Sequence, residues 1–193
     1  MDATPLNNAP DEALMLLFAR GDRDAARHLT ARLAPVALRV AQRLLRDPAE
    51  AEDVAQEAML RLWRIAPEWR NGEARVSTWL YRVVSNLATD RLRKRRALPL
   101  EDAPEPVSTA PGPGEAMDQA ARAAALQAAL DLLPVRQRQA VVLRHLEGLP
   151  NPEIAEIMGI GVEAVESLVA RGKRGLVAAL AGRRAEIGYG DDD

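Results

Sequence analysis

The chain has 193 residues, 26 Lys and Arg against 28 Asp and Glu, a net charge of −2, and no cysteine. That length suits one large or two small domains, and the missing thiol excludes disulfides, zinc fingers and thiol chemistry. The charge balance alone says nothing for nucleic acid, so the places where charges cluster carry the information. Three Trp, two Tyr and one Phe in a chain dominated by Ala, Leu, Arg and Glu favour helices over a sandwich or barrel. The start, "MDATPLNNAP", has neither a basic n-region nor an apolar run, so it is not a signal peptide. Nothing approaches the roughly 20 apolar residues of a membrane span, so no membrane insertion and a cytoplasmic protein are expected.

In chain order, helix is expected over 13–18 and 25–45, with Pro35 marking a kink or break. "DPAEAEDVAQEAMLRLWRI" opens with Asp47 as N-cap, Pro48 at the first helical position and Glu50 completing a capping box. Val54, Ala58, Leu62 and Ile65 then form its apolar stripe. The next helix is expected from an N-cap at Ser77 through "TWLYRVVSNLATDRLRKRR", with Leu80, Val83, Val84, Leu87 and Leu92 as its apolar side. It ends in "RLRKRR", five cations in six residues from Arg91 to Arg96.

Residues 98–114, "LPLEDAPEPVSTAPGPG", hold five prolines and no apolar periodicity, and read as an extended linker. At about 3.1 Å per residue such a stretch reaches roughly 50 Å, more than the roughly 34 Å of one DNA turn. Further helices are expected over 115–132, 135–146, 152–158 and 162–180. The fold class expected is therefore all-α, two small helical domains, 10–97 and 115–182, joined by the Pro-rich linker. An acidic tail, 183–193, follows with no assignable role. His28 and His145 both fall within helical patterns and read as structural.

The last pair of helices carries a sharper pattern. Asn151 can cap a helix with Pro152 at its first position. Ala155 is small where a second helix must cross closely, Gly159 suits a turn needing positive φ, and Val165 points inward. Ile154, Met158, Ile160 and Leu168 fill the remaining interior positions. This is the packing pattern of a DNA-binding helix-turn-helix, with 162–174 as the recognition helix.

"AEDVAQEAMLRLW" (51–63) with "STWLYRVVSNLATDRLRKRR" (77–96) resembles the second conserved region of sigma factors of bacterial RNA polymerase. "LDLLPVRQRQAVVLRHLEGLPNPEIAEIMGI" (130–160) resembles their fourth. Order and spacing are similar to the compact two-domain ECF (extracytoplasmic function) type, over nearly the whole chain beyond the first ten residues.

The resemblance implies that Asp53, Gln56, Glu57 and Leu60 bind core RNA polymerase; they share one helical face, which otherwise reads as a solvated acidic surface. It also implies that Arg82, Asn86, Asp90, Arg93, Lys94 and Arg96 meet promoter DNA at the opened minus-ten element. The segment "EWRNGEARVS" (68–77) would match the one that captures a flipped base in relatives. Trp79 and Tyr81 are candidate stacking platforms, although Trp79 reads first as a core residue. Arg91 to Arg96 would supply phosphate contacts, or be a solvated basic helix end.

For the minus-thirty-five element, helix-turn-helix geometry turns Glu163, Glu166, Ser167 and Ala170 toward the major groove. Arg171, Lys173 and Arg174 lie where phosphates are expected. Relatives commonly have Thr-Val-Lys-Ser-Arg where this chain has "AVESL" (164–168), so the detailed readout does not carry over. Glu166 could accept a hydrogen bond from cytosine N4, or pair with a cation such as Arg171.

An anti-sigma partner is implied as well. No catalytic residues, metal ligands or cofactor are expected, because the chain has no phosphate-binding Gly loop, metal cluster or nucleophile–base arrangement. Two other readings compete: a stand-alone helix-turn-helix regulator that binds duplex DNA without polymerase, and a helical adaptor, which leaves the basic cluster unexplained.

Overall fold

The computed structural model of the chain describes residues 6–70, 72, 74–97 and 115–181. Eight α-helices and no strand occur among them. The expected linker and acidic tail lie outside the described residues. Two compact units are distinguished, Met1–Arg91 with Ala155–Ile160, and Leu92–Ile154 with Gly161–Asp193. No described helix is long and apolar enough to cross a membrane.

The first unit is built on α1 (Asp11–Ala19), α2 (Arg23–Leu44) and α3 (Pro48–Ile65), with α2 packed against both neighbours. Gly21, at φ 90°, makes the turn between α1 and α2. Asp22 then caps α2 by accepting from the Asp24 and Ala25 N–H groups at 2.8 and 3.0 Å. α2 buries Ala25, Leu29, Leu33, Ala37, Val40 and Leu44, a stripe at three- and four-residue spacing. α3 meets it with Ala51, Val54, Ala58 and Leu62, where the alanines let the helix backbones approach. Burying a Leu or Val fully contributes about 1.5–3 kcal/mol, so the stripe, rather than helix propensity, holds these helices in place.

Asp47 caps α3 as expected, accepting from Ala49 N–H at 2.9 Å and Glu50 N–H at 3.3 Å. Pro35 does not break α2, which runs through it without interruption. Pro35 and Ala31, whose carbonyl loses its helical donor, are both exposed, so water can serve that oxygen while buried Leu33 and Ala37 keep the helix in register.

α4 (Val76–Ala97) departs further from expectation. It starts one residue before Ser77, with the Trp79 N–H bonded to the Arg75 carbonyl at 3.0 Å, so Ser77 lies inside the first turn and is not the cap. Its buried side is Thr78, Leu80, Tyr81, Val84, Ser85 and Ala88, whereas Val83, Leu87 and Leu92 are only half-buried. The apolar pattern misplaced that side because small and amphipathic residues (Ser85, Ala88, Tyr81) occupy the tightest positions.

The second unit contains α5 (Glu115–Asp131) and α6 (Val135–Val141), followed by a π-helical turn, Val142–Leu146. The single helix expected over 135–146 is thus two helical types in sequence. Arg138, 5% exposed, ties α5 to α6: Nη1 lies 3.0 Å from Asp131 Oδ1, and Nη2 donates to the Asp131 carbonyl at 2.9 Å. Such a buried pair is costly to break from one side, about 3–5 kcal/mol. α8 (Val162–Ala181) packs on α5 and α6. At Gly172 the approach is so close that an added Cβ would lie 2.5 Å from Val141 Cγ2 and 3.1 Å from the Gln137 carbonyl.

α7 (Asn151–Met158) joins α8 through Gly159, at φ 63°, as the sequence requires. Ile154, Ala155, Met158 and Val165 are buried as expected, and so is Ile157, which the pattern did not single out. Ile160 and Leu168 are half-buried. Asn151 does not cap α7. The Pro150 carbonyl accepts the first helical bond, from the Ile154 N–H at 3.1 Å, and Asn151 Oδ1 is buried with no hydrogen-bond partner.

Candidate functional site

Three helix faces carry the residues singled out from sequence. On α3, Asp53, Gln56 and Leu60 are exposed and Glu57 is half-buried, on the side opposite the stripe that packs on α2. Leu60 is 43% exposed, an apolar spot within an otherwise polar and acidic surface. Arg61 Nε donates to Glu57 Oε1 at 2.8 Å, and this hydrogen bond holds the Glu57 carboxyl below the ordinary carboxylate range. The Glu57 carboxylate is therefore ionised at neutral pH.

On α4, Arg82 is half-exposed, while Asn86, Asp90, Arg93 and Lys94 are exposed. Their spacing of four, four, three and one places them along one side of the helix. Arg96 belongs to the same helix, and its side chain lies outside the described residues. The cations sit in the last turns of α4, where the helix dipole favours positive charge. Arg91 was grouped with them in sequence, but its Nη1 lies 3.4 Å from Asp53 Oδ2. It thus joins the basic end of α4 to the acidic face of α3.

The segment before α4 is only partly described, since Asn71 and Glu73 lie outside. Trp69 and Trp79 meet edge to face, ring centroids 6.4 Å apart at 85°, and Trp69 Nε1 is buried without a hydrogen-bond partner. Trp79 is half-buried, with its ring against that of Trp69. Tyr81 does not qualify as a stacking platform: it is 9% exposed, because its position falls on the buried side of α4.

On α8, Glu163, Glu166, Ser167, Ala170, Arg171, Lys173 and Arg174 are all exposed. Val165 and Gly172 on the other side are buried, so packing fixes which face is presented. Arg171 Nε donates to the Ser167 carbonyl at 3.2 Å rather than to Glu166, which makes no ion pair among the described residues. His145 is held below its ordinary pKa, first by burial and then by Lys173 and Arg144. No cluster of His, Asp or Glu able to hold a metal ion occurs among the described residues.

Sequence reading missed Gly172, although a signal was present. A glycine inside a helix costs about 1 kcal/mol relative to alanine, so one within a strongly helical stretch points to a close approach. It also missed the Asp53–Arg91 pair, which joins residues 38 positions apart and has no local signature.

Residues 29–98 match the family model for Sigma-70 region 2, and residues 123–176 match that for Sigma-70 region 4. The chain is 36% identical to the ECF RNA polymerase sigma factor SigM of Mycobacterium tuberculosis, over 88% of this chain and 84% of SigM. It is 35% identical to the ECF RNA polymerase sigma factor SigE of Mycolicibacterium smegmatis, over 77% of this chain; that match spans 58% of SigE. The fold is shared with the sigma factor RpoE of Bartonella quintana, solved with the anti-sigma factor NepR, at a TM-score of 0.62 and 22% identity, over 80% of this chain and 96% of RpoE. This chain belongs to the ECF family of RNA polymerase sigma factors, which is not an enzyme family.

Proposed function

We propose that the three faces divide the work of promoter recognition. The α3 face (Asp53, Gln56, Glu57, Leu60) docks on core RNA polymerase. Its mix of carboxylates and amide around one exposed leucine suits an interface with a desolvated centre and polar rim. The α4 face (Arg82, Asn86, Asp90, Arg93, Lys94, Arg96) takes the opened non-template strand of the minus-ten element, with the segment 68–77 capturing a flipped base. Cations supply phosphate affinity without sequence preference, and Asn86 and Asp90 can bond base edges.

The α8 face lies in the major groove of the minus-thirty-five element. Glu163, Glu166, Ser167 and Ala170 reach base edges, and Arg171, Lys173 and Arg174 reach phosphates. The stretch 98–114, between the two family matches, is the linker that lets both domains engage one promoter. An anti-sigma factor holds the protein in check, as NepR is bound to RpoE, and the protein works in the cytoplasm.

One observation carries this reading: all seven α8 positions are exposed while Val165 and Gly172, on the other side of the same helix, are buried. Run-off transcription with purified core enzyme tests it. A discrete transcript should appear only when this chain is added. Binding to duplex promoter DNA without polymerase, and no transcript with it, would support the stand-alone regulator instead.

A further inference from the structure

The first turn of α4 takes a hydrogen-bond acceptor from elsewhere in the chain. The residue before it, Arg75, has no side-chain acceptor, and Ser77 lies inside the helix. An α-helix leaves its first N–H groups without intrahelical partners. Here the N–H of Val76, a fully buried residue, donates to Oε1 of Glu12 at 3.3 Å, across 64 positions of sequence. The carboxylate also lies where the helix dipole favours negative charge.

Glu12 is itself held in place. Its neighbour Asp11 accepts from Arg32 Nη1 at 3.0 Å. The same guanidinium takes the Ala9 carbonyl at 2.6 Å and the carbonyls of Leu6 and Asn7. Arg32 thus clasps the residues before α1, and the first turn of α1 presents Glu12 to the first turn of α4. Trp69, on the other side of the segment, packs against Trp79 of that same first turn. Trp69 and Val76 are thus each held by a partner.

We propose that Glu12 is a positioning residue for minus-ten recognition: it sets where α4 begins, and so the frame of the segment that takes the flipped base. It does this from outside the region 2 match, which begins at residue 29. The inference rests on reading 68–77 as the base-capturing segment. Glu12 touches no DNA in this role, and its hydrogen bond goes to α4 rather than to α3, which carries the polymerase face.

The test uses the full chain bound to core polymerase and two single-stranded minus-ten probes, one intact and one abasic at the captured position. The wild type should prefer the intact probe. Glu12→Ala should lose about fivefold of that preference, the size of effect expected for a lost helix cap. Its affinity for core enzyme should stay unchanged. Glu12→Gln, which keeps an acceptor oxygen, should restore the preference.

A wild type that binds both probes equally overturns the base-capture reading and this inference with it. A discriminating wild type with an equally discriminating E12A overturns the inference alone. So does an E12A that loses core affinity in proportion, or an E12Q as defective as E12A.

Discussion

The two helices proposed to meet DNA arrange their charges differently. On α4 the exposed face gathers Arg93 and Lys94 at the C-terminal end, with Asn86 and Asp90 before them. On α8 the exposed face begins with Glu163 and Glu166, and its cations, Arg171, Lys173 and Arg174, come later. A carboxylate near DNA is repelled by phosphates, so it is poorly suited to raise affinity and can only discriminate. We read α4 as the source of general affinity and α8 as the source of selectivity.

The largest effect is expected at α4. Replacing Arg93, Lys94 and Arg96 together with Ala should reduce the salt dependence of single-strand binding by about 0.7 log units per lost contact, so about two in all. Equilibrium binding of the polymerase complex to a minus-ten oligonucleotide across a salt series measures it. A slope unchanged by the triple substitution would remove α4 as the electrostatic anchor.

Next comes the α3 face proposed to dock on core polymerase. Replacing Gln56 and Glu57 with Ala should weaken core binding by about 1–2 kcal/mol, as for moderate interface hot spots. Both positions lie off the buried stripe, so thermal unfolding should barely move. Undiminished retention in a pull-down with core enzyme would show that the acidic face of α3 is only solvated.

Gly172→Ala tests whether packing aims α8. In an exposed helix this change stabilises by about 1 kcal/mol. Here the new methyl would press on Val141 Cγ2 at 2.5 Å and the Gln137 carbonyl at 3.1 Å. Overpacking of that kind costs about 1–3 kcal/mol, so net destabilisation of up to about 2 kcal/mol is expected in urea unfolding, with weaker minus-thirty-five binding. A stabilised variant would mean that α8 can shift freely off α6.

The same contrast explains what could be read in advance. α8 and its turn were legible because their determinants are near neighbours: Gly159 with its positive φ, Ala155 and Val165 at fixed spacing. α3 was legible for the same reason, from Asp47 through Ile65. α4 was read less well, because its cap, Glu12, and its ion-pair partner, Asp53, lie 64 and 38 positions away in sequence. Its buried side is also partly polar, so apolar periodicity pointed to Val83 and Leu87 rather than to Tyr81, Ser85 and Ala88. The three site faces were legible as surfaces, since helical spacing decides which residues are coplanar. The burial of Tyr81 was not legible, because an aromatic residue beside Leu80 fits either side of a helix.

Glu166 gives a smaller and more selective effect. Arg171 Nε is bonded to the Ser167 carbonyl, and base reading by Glu166 is the proposal to test. Glu166→Ala should flatten preference at one minus-thirty-five position by about 1 kcal/mol, the low end for a direct base contact. Affinity for non-cognate DNA should hold or rise as repulsion is removed. Binding of the polymerase complex across single-base promoter variants measures this, and an unchanged rank order and spread would show that Glu166 reads nothing.

The smallest effect is a pH dependence at His145, and it reports on α8 directly. Partial burial first, then Lys173 and Arg144, lower the His145 pKa from its ordinary value of about 6.5, so the folded chain binds this proton less readily than the unfolded one. The unfolded state therefore holds more protons in the window just below 6.5, and stability must rise with pH there. The contribution of neutral His145 is complete above the unfolded value and lost as pH falls through the folded one. His145→Gln should remove that slope, which will be shallow because the imidazole is largely exposed. Lys173→Ala should move the titration back toward its ordinary position. Promoter DNA should do the same if Lys173 meets a phosphate, since the anion offsets the repulsion that disfavours imidazolium. An imidazole NMR titration that does not shift when minus-thirty-five duplex is added would take Lys173 out of the phosphate contacts and leave Arg171 and Arg174 to carry them.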